Sequence, residues 1–117
     1  MNKMTLDELT RRVLAHRDER DWGQFHTPKE LAISLTVEAG ELLALMQWKT
    51  GAALDQAVAA KHEHIRDELA DCLHSLLLLA DHVKVDLGEA LLAKLQKDAI
   101  KYPVEKSRGR AEKYDEL

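Results

Sequence analysis

Two pairs of acidic residues lie in segments that are otherwise rich in Leu and Ala. Glu38 and Glu41 form E-x-x-E in SLTVEAGELLALMQW, and Glu68 and Asp71 form E-x-x-D in IRDELADCLHSLLLL. Residues three apart face the same side of an α-helix. An ionised carboxylate in apolar surroundings is unfavourable unless it is paired or binds a metal ion. The two pairs are therefore candidates for a metal site.

The first pair interrupts an apolar stripe. Steps of four and three residues, which mark one face of a helix, connect Leu31, Leu35, Glu38, Leu42 and Leu45. The second segment has a stripe, bordered by its own acidic pair, that contains Ile65, Leu69, Cys72, Leu76, Leu79 and Val83. A single E-x-x-E usually marks a solvated helix face. Its recurrence on a second apolar helix favours a shared metal site.

The ligand types indicate which metal. Carboxylate oxygens without clustered His or Cys favour Mg²⁺ or Mn²⁺ over Zn²⁺. Mg²⁺ shares its coordination with waters and substrate phosphates, and a water activated there is a nucleophile. The rival reading is that Asp71 and His74 form D-x-x-H, similar to the E-x-x-H of di-iron bundles. That site needs the motif on both helices, and residues 28–48 contain no histidine, so we assign His74 to a helix surface or interface.

Composition excludes several classes of protein. The chain has 117 residues, of which 45% are hydrophobic and 32% charged, as expected for one globular domain over residues 1–117. A net charge of −4 argues against general nucleic-acid binding. The longest apolar run, 76–80, is too short to cross a bilayer, and the N-terminus lacks a signal-peptide pattern. The single cysteine, Cys72, fits the reducing cytoplasm.

Helix start signals organise the chain into an all-α protein. Thr5 begins a capping box, and Thr27 precedes Pro28 at a second start. The second helix should run to about Trp48, where Gly51 is the expected C-cap. A third helix is expected over about 54–83, with its Ala-rich first part as a separate turn. The fourth begins near Asp86 and ends before Pro103, and residues 102–117 form an extended basic tail.

Several segments together resemble the all-α, MazG-like nucleoside triphosphate pyrophosphohydrolases, and within them the dCTP pyrophosphatase branch. The resemblance covers residues 17–117 and depends on the segments RDWGQFHTPKEL, VEAGELLALMQW, DELADCL, KLQKDAIKYP and EKYDEL. It implies a four-helix bundle completed by oligomerisation, as a homodimer or a homotetramer. A third helix that is apolar nearly all round also predicts subunit packing.

The resemblance assigns roles to individual residues. It implies that Mg²⁺ is held by Glu38, Glu41, Glu68 and Asp71, and that Glu38 or Glu41 helps to activate the attacking water. Two aromatic residues, Trp22 and Trp48, match positions near the base pocket, where a ring can stack on a base; core packing is the alternative. His26 contacts substrate or supports its loop.

The end of the fourth helix matches the family's phosphate-binding pattern. The matching residues are Lys94, Asp98, Lys101 and Tyr102; an exposed face with an i,i+4 ion pair is the alternative. This chain departs from the pattern twice. Asp98 stands where Asn is common, and Ser75 stands where the dCTP-specific branch often has Tyr. Both departures put the base preference in question.

The sequence therefore predicts a cytoplasmic, Mg²⁺-dependent house-cleaning hydrolase that converts dCTP or modified pyrimidine triphosphates to monophosphate and pyrophosphate. Two alternatives remain. One is an enzyme of the same fold acting on phosphoribosyl-ATP, against which the paired tryptophans argue mildly. The other is a non-catalytic helical module that binds nucleotide and regulates.

Overall fold

The computed structural model describes residues 3–117, and all regular structure in this range is helical. The α-helices are α1 (Leu6–Glu19), α2 (Pro28–Ala44), α3 (Gly51–Ala60), α4 (His62–His82), α5 (Leu87–Lys101) and α6 (Val104–Ser107). Short 3₁₀ turns lie at Gly23–Phe25 and Tyr114–Glu116. The all-α prediction is confirmed. None of the helices within residues 3–117 has the length and apolar character needed to cross a membrane.

The predicted helix starts are confirmed by their capping bonds. The hydroxyl of Thr5 accepts the Glu8 N–H at 3.2 Å, and that of Thr27 accepts the Glu30 N–H at 3.1 Å. The Asp86 carboxylate accepts the backbone N–H of Glu89 in the same way. Each bond satisfies one of the backbone donors that a helix leaves free in its first turn. The caps therefore fix where α1, α2 and α5 begin.

The predicted third helix is two helices. Lys61, at ψ 22°, leaves helical geometry between α3 and α4, although no Gly or Pro marks the break. The end of α2 also differs from prediction, because the helix stops at Ala44 and turns follow it. Gly51 opens α3, with φ +55°, instead of ending α2.

Two compact units make up the chain, Met1–Val85 and Asp86–Leu117. In the first unit α4 is the central helix, because α1, α2 and α3 all pack against it. Its buried apolar residues are Leu31, Ala57, Leu77, Leu78 and Ala80. The pairing of α2 with α4 matters most for the site, since each helix carries one of the acidic motifs.

The core face of α4 differs from the predicted stripe by about one position. Leu69, expected inside, is 54% exposed, and Leu76 and Val83 are also exposed. Glu68 and Ser75 are buried instead. The run of residues 76–80 is apolar on every side of the helix, so periodicity alone could not select the face of this part that packs in the core.

In the second unit the tail is not wholly extended, since it contains α6 and the final 3₁₀ turn. The Ser107 hydroxyl lies 3.1 Å from the Tyr102 carbonyl and 2.8 Å from the Pro103 carbonyl. The Tyr114 ring contacts the Tyr102 ring edge-to-face at 6.1 Å, and the Lys101 amine lies 4.8 Å above the Tyr114 ring. These contacts join the tail to the end of α5.

The burial of Leu77 gives a prediction about stability. Leu77→Ala should lower the free energy of unfolding by about 2–5 kcal/mol, because it leaves a cavity in the packed centre of the first unit. Leu6→Ala, the same change at a side chain that is 42% exposed, should have less than half that effect. Urea denaturation at one protein concentration measures both. Equal losses would mean that Leu77 is not part of the core.

Candidate functional site

Three carboxylates from two helices meet in the first unit. Glu38 and Glu41 lie one turn apart on α2, and Glu68 comes from α4. One oxygen of each lies within 4.8 Å of the others, and no other His, Cys, Asp or Glu residues in the described part of the chain form such a group of three. The packing of α2 on α4 thus brings together three of the four predicted metal ligands.

Two oxygens of this cluster have no hydrogen-bond partner. Glu68 is only 6% exposed, and its Oε1 lies 3.4 Å from Nε2 of His64. The buried Oε2 atoms of Glu68 and Glu38 are both unpartnered. A buried acceptor without a donor is unfavourable, and a cation would satisfy both atoms. The donor set of carboxylate oxygens therefore fits a hard divalent metal ion.

Crowding of negative charge changes the acidity of the cluster. The pKa of Glu38 is raised from 4.5 to about 7, first because its protonated form can donate a hydrogen bond to the Glu68 carboxylate, which no donor satisfies when both groups are ionised, then by partial burial and by the charges of Glu41 and Asp71. Burial, followed by the same nearby carboxylates, raises the pKa of Cys72. Cys72 therefore stays a neutral thiol, so the site offers hard oxygen ligands and no thiolate.

Asp71, the fourth predicted ligand, does not belong to the group of three converging carboxylates. It lines a cavity together with Glu38 and contributes to the raised pKa of that residue. The assignment of Asp71 to the metal stays a prediction.

A cavity of about 200 Å³ lies beside the cluster, between α1, the Gly23–Phe25 turn, α2 and α4. Two residues predicted to bind substrate, Trp22 and His26, line it. The buried Nδ1 of His26 has no hydrogen-bond partner. The remaining lining residues are His16, Arg17, Leu31, Ser34, Glu38, Asp71, His74, Ser75 and Leu78. The cavity thus extends from the acidic cluster to a group of aromatic side chains, Trp22, His16, His26 and His74, which we call the aromatic wall.

That wall contains two histidines that sequence reasoning did not assign to the site. The His16 ring lies edge-to-face with Trp22 at 5.7 Å and with His74 at 5.8 Å. Burial, and then the neighbouring His16, lower the pKa of His74, so its ring is neutral at pH 7. His74 follows Asp71 by three residues, a spacing that places both on one side of α4. No local pattern pointed to His16, which depends on how α1 packs.

The other predicted substrate residues are Trp48 and four residues of the second unit. Trp48 is 92% exposed and does not line the cavity. Its backbone has φ +66°, in the turn after α2. In the second unit Lys94 and Asp98 form an i,i+4 ion pair, whereas Lys101 and Tyr102 contact Tyr114.

The raised pKa of Glu38 predicts a pH-dependent stability. Unfolded chain loses this proton near pH 4.5 and folded chain near pH 7, so the metal-free protein loses stability as pH rises through that window. Glu38→Gln removes the loss, and its Tm should fall less than that of the wild type between about pH 5 and about pH 8. Thermal unfolding in EDTA measures this. Glu30→Gln, at the exposed start of α2, should follow the wild type; parallel curves for all three proteins would contradict the assignment.

Comparison with known proteins identifies the family to which the chain is similar. Residues 33–117 match the MazG-like family. Over 115 residues the chain is 39% identical to dCTP pyrophosphatase 1 of Bos taurus and 37% identical to that of Homo sapiens, covering 97% of this chain and 68% of each relative.

A solved structure agrees with the sequence match. The crystal structure of a pyrophosphatase from Archaeoglobus fulgidus superposes with a TM-score of 0.81 at 33% identity. The alignment covers 88% of this chain and 96% of that one. The family match, over residues 33–117, includes the segments that carry the acidic motifs. The chain belongs to the MazG-like family.

Proposed function

We propose that this chain is a metal-dependent nucleoside triphosphate pyrophosphohydrolase. It cleaves the bond between the α and β phosphates of a (deoxy)nucleoside triphosphate and releases monophosphate and pyrophosphate. The observation that carries the proposal is the convergence of Glu38, Glu41 and Glu68 on one point, with two buried oxygens unpartnered, beside a cavity with an aromatic wall. Membership of the MazG-like family supports the same reaction.

The relatives suggest the leading substrate. Curated proteins that are 37–39% identical to this chain over 115 residues are named dCTP pyrophosphatase 1. We therefore infer that dCTP, or a modified pyrimidine triphosphate, is the preferred substrate. Ser75 lies buried in the cavity lining, at the position where the dCTP-specific branch often has Tyr, so the base preference is to be measured and not assumed.

Mg²⁺ is the metal we infer, with Mn²⁺ as a substitute. Glu38, Glu41 and Glu68 would hold it, with Asp71 as a further ligand. When bound, it supplies charge neutralisation for the triphosphate and activation of the attacking water. A divalent cation would also offset the repulsion that raises the pKa of Glu38.

The carboxylates have a second task in the reaction. Water attacks the α phosphorus and forms a new P–O bond. The bond between this phosphorus and the oxygen that bridges to the β phosphate breaks. The water must lose a proton, and we infer that Glu38 or Glu41 accepts it as a general base. Pyrophosphate leaves with the electron pair of the broken bond.

The cavity beside the acidic cluster is the proposed site for the base of the substrate. At about 200 Å³ the cavity is below the usual size of a pocket for a whole ligand, so it fits the base better than an entire nucleotide. Trp22 lines it and offers a face for stacking. In the second unit Lys101 lies over the Tyr114 ring and Lys94 is paired with Asp98, and the assignment of these lysines to the phosphates stays a prediction.

Assembly and location stay predictions. Leu69, Leu73 and Leu76 of α4 are exposed on the isolated chain, and covering them in a homodimer or homotetramer would remove this apolar surface from water. A cytoplasmic site of action, without nucleic-acid or membrane partners, rests on the sequence alone. Two alternatives to the proposed function remain, action on phosphoribosyl-ATP and a purely regulatory role. Enzyme assays distinguish them from hydrolysis of dCTP.

Product analysis tests the proposal. The purified protein with Mg²⁺ should convert dCTP to dCMP and pyrophosphate, resolved by chromatography. Glu38→Gln should lower kcat/KM by at least about a hundredfold, because it removes both a metal ligand and a candidate base. Glu30→Gln on the same helix should leave it unchanged. Full activity of Glu38→Gln would exclude the carboxylate cluster as the reaction centre, and no turnover of any triphosphate by folded wild-type protein would favour the regulatory module.

Trp22 gives an independent prediction about the base. Trp22→Ala should lower kcat/KM for dCTP by about tenfold or more, because stacking on an aromatic ring contributes about 1–3 kcal/mol per base. Phe25→Ala is the matched control: Phe25 lies in the same segment between α1 and α2, is 66% exposed and does not line the cavity. Steady-state kinetics compares the two. Similar losses would indicate disruption of the turn and not loss of a stacking surface.

A further inference from the structure

Two histidines in the cavity wall have no role in holding the metal or the phosphates. His16 comes from α1 and His74 from α4, and their rings meet edge-to-face at 5.8 Å. The cavity they line also contains Glu38 and Asp71 at the acidic cluster. A substrate whose phosphates reach that cluster would therefore bring its other end close to the two imidazoles.

The shape of this part of the cavity suits a flat ring. Trp22 stands edge-to-face with His16 at 5.7 Å, and the buried Ser75 is the small residue at the α4 side. The cavity volume of about 200 Å³ lies below the range for drug-sized ligands. A pyrimidine has one ring and a purine two, so the limited space favours the pyrimidine.

The chemistry of the wall suits the edge of a base. A neutral imidazole carries one N–H donor and one ring-nitrogen acceptor, and the lowered pKa of His74 keeps its ring in that form. The buried Nδ1 of His26 is unpartnered, and the Ser75 hydroxyl lies in the same lining. An apolar pocket discriminates weakly between bases, whereas a pocket built to hydrogen-bond rejects a ligand that cannot match it.

We propose that His16 and His74 are specificity-determining residues, which hydrogen-bond the edge of a pyrimidine base and so select pyrimidine over purine nucleoside triphosphates. This inference rests on the proposed hydrolysis of nucleoside triphosphates. It assigns to the two rings a part in selection and none in bond cleavage. Substitution should therefore change the ranking of substrates more than the reaction itself.

The test compares substrate ratios in ring-preserving variants. His16→Phe and His74→Phe keep an aromatic ring and remove both nitrogens, and His74→Gln restores a donor and an acceptor. His82→Phe, an exposed histidine on the same helix α4, is the control. For each protein the measured quantity is kcat/KM for dCTP, dTTP and dATP, with the Tm recorded to verify folding.

Wild-type protein should prefer a pyrimidine triphosphate to dATP. Each Phe variant should reduce that ratio by about tenfold, the effect expected for one lost hydrogen bond to a buried partner. His74→Gln should recover part of the ratio, and His82→Phe should leave it unchanged.

Three results would overturn the inference. A wild-type preference for dATP would exclude the pyrimidine assignment. Phe variants that lower kcat/KM equally for all three substrates would show that the two histidines only support the fold. Phe variants that keep the wild-type kcat/KM values would show that the histidines do not contact the base. Failure of the inference leaves wild-type hydrolysis intact, whereas failure of the proposed function appears as no hydrolysis by the wild type.

Discussion

Mutual repulsion among three carboxylates is the constraint on which the rest of this structure depends. Glu38, Glu41 and Glu68 approach one another because α2 packs on α4. Packing of the apolar faces stabilises the arrangement, and the negative charges oppose it. The pKa of Glu38 is raised to about 7, first by a hydrogen bond with Glu68, then by burial and by the neighbouring negative charges. A divalent cation resolves the repulsion, which links the packing of the fold to the reaction that we propose.

The position of the cluster explains how a small protein can hold these groups in place. Glu68 is buried on α4, and Leu77 and Leu78 occupy the core farther along the same helix. Ligands on packed helices are fixed more closely than ligands on loops. The aromatic wall has a different origin, since Trp22 comes from the segment between α1 and α2. The site therefore combines a rigid acidic end with a wall supplied by a connecting segment.

The sequence predicted those features that depend on local chemistry. Capping residues such as Thr27 located the helix starts, and the unusual placement of Glu38 in an apolar stripe indicated the acidic site. Features that depend on tertiary packing were not predictable in the same way. The break at Lys61 has no Gly or Pro signal, and the buried face of α4 could not be chosen in the run 76–80, where every residue is apolar. His16 joins the cavity only through the packing of α1 on α4.

Trp48 shows a further limit of reasoning from sequence. The resemblance placed it near the base, and the structure leaves it 92% exposed and outside the cavity lining. Its position in a turn after α2 follows from the early end of that helix at Ala44. A role for Trp48 in base binding therefore stays a prediction, whereas Trp22 has a structural basis for one.

The central claim is that the three carboxylates bind a divalent metal ion. The most direct measurement is anomalous diffraction at the manganese edge from crystals soaked in Mn²⁺, because it locates the ion without reference to activity. The account predicts an anomalous peak between the carboxylates of Glu38, Glu41 and Glu68, which disappears in Glu38→Gln crystals. A peak at the histidines of the cavity wall, or none at the cluster, would contradict it.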